Sequence, residues 1–571
     1  MDTEKKHKKP SGWRRWDVLA ASLALNVLAL AMPLVILQIY DRIIPNQAES
    51  TLFFLIFGLG VVLILEFTLR VLRSTLMSWE AAKFDHIEGM RAINHILHTD
   101  TLAYEKRSSG FFLDRVQALD KIQDFYSSQA MLFAVDFPFI ITFLAVIWYI
   151  TGNLVFVPLV LMGLFLLVSL YAGNQLHKAI KLRSEMEERR QNFLIEILQG
   201  IHTVKSMAME SFMLRRYERL QGQSADSVYQ LASTNSLVEG AGASFSQLAV
   251  ITFVAFGAGQ VIAGDLSIGA LAAGTMLSGR ALQPGIRAMN VWSQFQTVRY
   301  AKKQVDELFD VPLEQNGEKP ADAYMHGDLQ LNNVSFTYPG TERLILDNIS
   351  LKAKPGDAIA ITGKNGSGKS TLIKLIAGFI SPDEGNILLD DALIQDYQTR
   401  NLRSRVALMP QQGLLFEGSI LENMTLFREG IAVDEAIHLS RLVGLNDTIA
   451  KLPHGLDTPI TGAGLNSLPE GVKQKIIIIR SLIGNPGLIL FDDANANLDL
   501  QNDHTLLNLI KRFKGRKTMI IVTHRPTYMR ICDRQYEVSG GQLIDISERF
   551  KQQPTKPVPP GTSTINTERT V

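Results

Sequence analysis

Cysteine is almost absent. Cys532 is the single one in 571 residues, which excludes an internal disulfide and a cysteine-based metal cluster and leaves that residue the role of a small buried side chain. Net charge is nearly absent too: 57 Lys and Arg balance 56 Asp and Glu to +1, which leaves no basic footprint for nucleic acid. No secretory signal precedes the first apolar run, which is too long for one and carries no small-residue cleavage pattern.

What the chain has in quantity is apolar sequence, 46% of its residues, unevenly spread. A basic tail over 1–15 holds Lys5, Lys6, Lys8, Lys9, Arg14 and Arg15. Residues 18–40 then run without a charge, long enough to cross about 30 Å of hydrocarbon as a helix. Similar runs at 51–65, 130–150, 154–176, 243–263 and 267–286 predict six transmembrane helices in a domain over 16–300. The loops at 41–50, 151–153 and 264–265 are short, whereas 70–127 and 177–240 are long, charged and helical in pattern. Lys and Arg concentrate in the tail and those two long segments, which places that side, the N-terminus included, in the cytoplasm. Both segments read as membrane helices continued into the cytoplasm and turned by a crosswise piece, at Gly110 and near Ala208-Met209.

Some ionisable groups fall within or beside the spans. Glu66 and Arg70, four apart, face each other on a helix and can pair. Asp136 and Arg280 either line a polar path or pair between helices and snorkel to the interface.

Residues 301–327 lose apolar density and contain Pro312, Gly317 and Pro320, a linker composition. Over 328–550 short strands alternate with helices, the rhythm of an α/β domain. Leu329 to Tyr338 alternates as a half-buried strand, and Ile387-Leu388-Leu389, Val406-Ala407-Leu408, Leu488-Ile489-Leu490-Phe491 and Met519-Ile520-Ile521-Val522 supply buried ones. The tail over 551–571, rich in Pro and Thr, is read as disordered.

Between the apolar run Ala358-Ile359-Ala360-Ile361 and a helical run stands Gly363-Lys364-Asn365-Gly366-Ser367-Gly368-Lys369-Ser370-Thr371. Strand, glycine loop, helix is the context of a phosphate cradle, in which backbone N–H groups and the positive end of the helix face a polyphosphate. Lys369 reaches the terminal phosphates and Ser370 holds Mg2+, so the chain binds a nucleoside triphosphate, read as ATP.

These residues resemble the ATP-binding cassette (ABC) exporters over almost the whole chain. The resemblance places Tyr338 at the adenine-stacking position, Gln411 of Met409-Pro410-Gln411 in the Q-loop, Leu488 to Asp492 as the second acidic motif, Ala496-Asn497-Leu498-Asp499 as the D-loop and His524 as the switch histidine. It implies that Asp492 and Gln411 join Ser370 at Mg2+, that His524 contacts the terminal phosphate, and that a membrane domain with one cassette is a half-transporter working as a dimer. Ala31-Met32-Pro33-Leu34, the stretch from Tyr40-Asp41-Arg42 to Pro45-Asn46, and Asp136-Phe137-Pro138 resemble the permease-ATPases of type I secretion. That implies an exported polypeptide, a periplasmic membrane-fusion adaptor and an outer-membrane channel, with the chain in the bacterial inner membrane and in contact with its lipid. A peptidase-like domain ahead of the first helix, found in some such transporters, is not expected, and neither is leader cleavage.

Two departures stand out. The family's catalytic glutamate is Asp493 here, one methylene shorter, and a base must sit within about 2.6–3.2 Å of the proton it takes, so hydrolysis slows while binding survives. The Leu-Ser-Gly-Gly-Gln signature is Leu468-Pro469-Glu470-Gly471-Val472. Pro469 offers neither hydroxyl nor N–H, and Glu470 places a negative charge where phosphate is expected, a repulsion of roughly 3 kcal/mol per unit-charge pair at about 5 Å. Ser467-Leu468-Pro469-Glu470 also reads as a capping box closing the helix from within. A homodimer would combine both defects in both sites; a heterodimer with an orthodox half-transporter, the preferred reading, would keep one good site. Three functions follow: polypeptide export, export of lipid or small molecules, or a non-transporting ATP-sensing partner.

Overall fold

The computed structural model describes residues 16–127, 137–320, 325–461 and 468–551. Asp136 and Ser467 lie outside these residues. The chain divides into two compact units: Met1–Thr99 with Ala103–Leu313, and Glu314–Val571 with Asp100–Leu102.

Among the described residues the first unit is built of helices, apart from one isolated bridge between Thr99 and Leu313. Its longest elements are Glu49–Leu97, Phe156–Gln199, Glu210–Ala263 and Ile268–Phe309. At 1.5 Å per residue the 49-residue Glu49–Leu97 is about 70 Å long, more than twice a hydrocarbon thickness, so it continues well beyond any membrane it crosses. Its apolar half leaves Phe53, Phe54, Phe57 and Ile64 exposed, a surface suited to lipid rather than water. Among the described residues four stretches are long and apolar enough to span: Asp17–Asn46, Glu49–Leu97, Phe139–Val168 and Glu210–Ala263. The expectation of six is therefore met only as a helical membrane-spanning region. Phe139–Val168 contains the tight turn Gly152–Val155, so two of the expected runs fall within one stretch. The run at 267–286, diluted by Gly, Ala, Ser and Arg280, is not among the four.

Small residues let these helices approach. A Cβ on Gly274 would stand 2.8 Å from the Phe253 ring, and Ala249, Phe253, Ala273 and Leu277 are fully enclosed. Arg280 donates to the carbonyl of Ala29, at the break between the helices Trp16–Leu28 and Ala31–Gln38, so it makes a contact between helices. Glu66 and Arg70 pair as expected. Asp41 sits in a π-helical turn, Ile39–Ile43, and accepts from Ser267 Oγ (2.6 Å) and from the Gly269 backbone N–H (2.9 Å) at the start of Ile268–Phe309.

In the extensions, Ala92, Phe112, Leu119, Ile122, Ala301 and Leu308 form a separate small core. Arg115 reaches Glu307 at 2.9 Å across it. Short helices, Thr101–Glu105 and Ile201–Ser206, lie near the two expected turning points. The first lies ahead of Gly110, which instead begins a helix and packs so tightly that a Cβ there would meet Asn192. Ile268–Phe309 runs through 301–309, residues whose composition suggested a linker.

The second unit is an α/β domain. A six-stranded sheet has the order β12-β11-β3-β10-β9-β6, with β3 Ala358–Gly363, β6 Val406–Met409, β9 Leu488–Asp492, β10 Thr518–Val522, β11 Arg534–Ser539 and β12 Gln542–Asp545. β3, β6, β9, β10 and β11 are parallel neighbours, and β3, β9 and β10 are nearly all buried: helices pack on one face, and the helix Lys369–Ile376 with strands of a second sheet pack on the other. A second sheet, β2-β1-β4-β5, contains β1 Leu329–Thr337, β2 Leu344–Ala353, β4 Glu384–Leu389 and β5 Ala392–Leu393, and β7 Gly418–Ser419 pairs with β8 Pro459–Ile460. The expected alternation of β1 holds over Leu329–Asn332 and then breaks: the register shifts at Asn332-Asn333, where Asn333 takes φ +49°, and Val334, Ser335 and Phe336 are all buried.

Candidate functional site

Parallel register assembles the site. Val522 on β10 lies opposite Asp492 on β9 and opposite Ile361 on β3, so the carboxyl ends of three strands finish together and the residues that follow them converge. β3 ends on Gly363, and Gly366 and Gly368 follow in the loop, the three with φ +147°, +77° and +104°. A Cβ on Gly363 would stand 2.5 Å from the Val538 carbonyl oxygen, so the loop closes only with glycine there. The helix Lys369–Ile376 begins at once, with no side-chain cap on its first N–H groups.

Lys369 is almost enclosed. Its ammonium donates to the Gly363 and Lys364 carbonyls at 2.8 and 2.9 Å, which leaves one of three donors for a ligand. Burial pushes its pKa down, while Asp493 and Asp492 pull it back up. Ser370 Oγ donates to Asp492 Oδ1 at 3.3 Å. Burial raises the Asp492 carboxyl, opposed by the Ser370 hydrogen bond, and the neighbouring charge of Asp493 adds to the rise. Ser367 Oγ is buried without a hydrogen-bond partner inside the loop, a donor left for an oxygen that the protein does not supply. Lys364, Asn365 and Gly366 are exposed at the loop tip. Free donors, an uncapped helix and a hydroxyl beside a carboxylate fit a polyphosphate with Mg2+.

Tyr338 follows β1; its hydroxyl shares a 3.2 Å hydrogen bond with Thr371 Oγ1, and its ring meets Phe336 edge on. Asp493 takes φ +44°, with its N–H on the Val522 carbonyl at 3.0 Å, and its carboxylate lies 3.8 Å from His524 Nε2. The structure thus gathers Lys369, Ser370, Asp492, Asp493 and His524. Gln411 stands exposed after β6, and among the described residues no hydrogen bond or ion pair joins it to Ser370 or Asp492. Gln474, buried on the helix Glu470–Leu482, donates to the Pro410 carbonyl at 2.9 Å and so ties that helix to the Q-loop. The sequence reading assigned Gln474 no role, and its only signal was a glutamine amid the isoleucines of a buried helix face.

The signature differs from the capping-box expectation. The N-cap is Pro469, extended at ψ 141°, with no side-chain cap, and Glu470 is the first helical residue. Its carboxylate accepts from Lys473 Nζ at 2.8 Å instead of turning back on the helix start. Because Pro469 holds the chain extended until the residue before Glu470, Glu470 lies too early in the helix to complete a box.

A cassette of this kind behind a helical membrane unit defines an ABC transporter, and the chain belongs to that family: the ABC transporter transmembrane region matches residues 18–284 and the ABC transporter domain residues 346–496. It is homologous to type I secretion ATPases. The alpha-hemolysin translocation ATP-binding protein HlyB of Escherichia coli is 31% identical over 532 residues, 93% of this chain and 75% of that protein. The leukotoxin translocation ATP-binding protein LktB of Mannheimia glucosida is 29% identical over 531 residues, again 93% and 75%. The solved structure of a bacterial Atm1-family ABC exporter with ATP bound shares the fold, with TM-score 0.81, 21% identity, and 94% and 95% of the two chains covered. The protein is an ATP-dependent exporter of the inner membrane with a cytoplasmic ATPase domain.

Proposed function

We propose that this chain is one half of a dimeric exporter that binds Mg-ATP well and hydrolyses it slowly. The observation that carries this is Lys369 bonded into the glycine loop and Ser370 bonded to Asp492, beside a shortened acid, Asp493. Tyr338 stacks on adenine. The backbone of residues 363–371 and the free donor of Lys369 cradle the phosphates. Ser370 and Asp492, with Gln411, hold Mg2+, which supplies charge neutralisation at the phosphates. Asp493 polarises the attacking water and His524 contacts the terminal phosphate. The membrane domain crosses six times, counting one pass on each side of Gly152–Val155 and one in the helix Ile268–Phe309.

HlyB and LktB are named for translocating a hemolysin and a leukotoxin, and that similarity supports a polypeptide cargo with an adaptor and an outer-membrane channel. The fold gives polypeptide no preference, since an Atm1-family exporter shares it, and lipid or small-molecule export stands as the alternative. Single-turnover hydrolysis and Mg-ATP binding by the purified full chain test the site: tight binding with exporter-like turnover by a homodimer overturns the reading. For cargo, crosslinked co-purification of a periplasmic adaptor supports polypeptide export, and ATP-dependent lipid uptake into inside-out vesicles supports the alternative.

A further inference from the structure

A buried polar cluster centred on the helix Leu500–Phe513 reaches the Asp493 and His524 segments through Asn495 and Arg525. Its hub is Asp503, almost fully buried. Asp503 Oδ1 accepts from the Tyr528 hydroxyl at 2.8 Å and from Asn495 Nδ2 at 3.0 Å, while Oδ2 pairs with Arg525 Nη1 at 2.7 Å. Arg525 Nη2 also donates to the Asn495 carbonyl at 3.1 Å. Asn495 and Tyr528 are themselves buried, so removing the carboxylate would strand several donors at once. Burial and the Asp503 carboxylate push the Tyr528 hydroxyl far up, so it serves as a donor and does not ionise.

Each arm ends next to the chemistry. Asn495 lies two residues after Asp493, and the intervening chain is pinned by Ala496 N–H on the Asp493 carbonyl at 2.9 Å. Arg525 follows His524 directly, and its N–H rests on Thr523 Oγ1 at 3.1 Å. The two segments leave different strands, β9 and β10, and past their ends Arg525 bonds directly to Asn495 while Asp503 holds them both. An αL backbone at Asp493 is a conformation that surrounding structure must impose.

We propose that Asp503 is a positioning residue for ATP hydrolysis, clamping the Asp493 and His524 segments at one fixed separation through Asn495 and Arg525. The inference rests on the roles given above to Asp493 and His524. It assigns the clamp to hydrolysis alone, since neither arm touches Lys369, Ser370 or the loop glycines.

The test is single-turnover hydrolysis by the purified full chain, with Mg-ATP affinity measured in parallel, for Asp503→Asn, Arg525→Gln, His524→Ala and the double variants with His524→Ala. Asp503→Asn keeps size and most hydrogen bonds while removing the charge that holds Arg525. It should slow hydrolysis about tenfold, in line with the loss from a small misplacement of reacting groups, and leave Mg-ATP affinity within about twofold. Arg525→Gln should do the same by removing the other end of the pair. In the His524→Ala background either change should cost much less than it does alone, because part of what it positions is gone. If His524→Ala slows hydrolysis and the double variants lose the full product of both effects, the clamp is overturned while the site reading stands. If His524→Ala leaves hydrolysis unchanged, the site reading falls and the clamp falls with it. Equal losses of hydrolysis and of Mg-ATP affinity in Asp503→Asn mean a merely structural residue and also overturn the proposal.

Discussion

Two of the helices in the nucleotide-binding unit that begin without a side-chain cap are prepared for opposite things. At Lys369–Ile376 the preceding residue is Gly368 in the left-handed region, a lysine opens the first turn, and the loop ahead offers free donors. At Glu470–Leu482 the preceding residue is Pro469 and an acid opens the first turn. Both expose the N–H groups that helix geometry leaves unpaired. An anion is attracted to both by the dipole, but side chains reinforce that pull at the first and oppose it at the second. Backbone geometry thus makes an anion site available, and two or three side chains decide whether it is used.

The largest expected effect removes the advantage of the first helix. Lys369→Ala takes out a nearly buried charge aimed at the phosphates, and Mg-ATP affinity should fall by roughly ten- to a hundredfold or more, the scale of a lost charged hydrogen bond of about 1.5–3 kcal/mol. Equilibrium binding of a fluorescent ATP analogue reads this directly. Unchanged affinity would mean that the cradle is not where the nucleotide sits.

Next in size is Asp493→Glu. Restoring one methylene should raise hydrolysis about tenfold or more, a fraction of the 10²–10⁴ that a well-placed general base contributes, while affinity stays put. A variant that hydrolyses no faster would show that reach is not what limits Asp493 and would shift attention to its left-handed backbone.

A smaller effect concerns the electrostatics of the apo site. Burial raises the Asp492 carboxyl, so its contribution to stability is full below the unfolded value near 3.8 and is lost as pH rises through the raised folded value. At neutral pH the ionised Asp492 therefore costs stability. Asp492→Asn should melt higher than wild type at pH 7 without nucleotide, with the gap closing as pH falls toward 4, and should lose the added stability that Mg-ATP gives the wild type. An equal gap at both pH values would mean that Asp492 is not the titrating group.

The contrast between the two helices was only half visible in the sequence. Gly363 to Ser370 could be placed because strand, glycines and helix leave one local solution, and Ala358-Ile361, Leu488-Phe491 and Met519-Val522 were legible because strands buried on both faces read as unbroken apolar runs. Glu470 was misplaced because a serine three residues ahead of an acid looks the same whether the acid is third in a helix or first, and only the extended backbone of Pro469 decides. The turn at Gly152–Val155 falls at the short loop expected over 151–153, whereas the register shift at Asn332-Asn333 depends on packing that no periodicity records. The Asp503 cluster was invisible for a related reason: Asn495, Asp503, Arg525 and Tyr528 are ordinary polar residues until two strand ends bring them together.

The smallest effect tests the second helix itself. Glu470 is exposed and its carboxylate is held by Lys473 at 2.8 Å, so much of its charge is matched before any phosphate approaches. The repulsion of roughly 3 kcal/mol for an unpaired acid at about 5 Å is then an upper bound. Glu470→Gln alone should strengthen ATP-dependent closure of the dimer less than about threefold, read by crosslinking cysteines introduced across the interface. Pro469→Ser should do more, because it restores a hydroxyl and a backbone N–H where the proline has neither. Removing the match sharpens the comparison: in a Lys473→Gln background Glu470 loses its partner, closure should weaken, and Glu470→Gln should then recover more than it gains in the wild type. If Glu470→Gln has the same effect in both backgrounds, the ion pair does not shield the site. If none of these variants changes closure, the helix start is no electrostatic barrier, and the preference for an asymmetric pair of half-transporters goes with it.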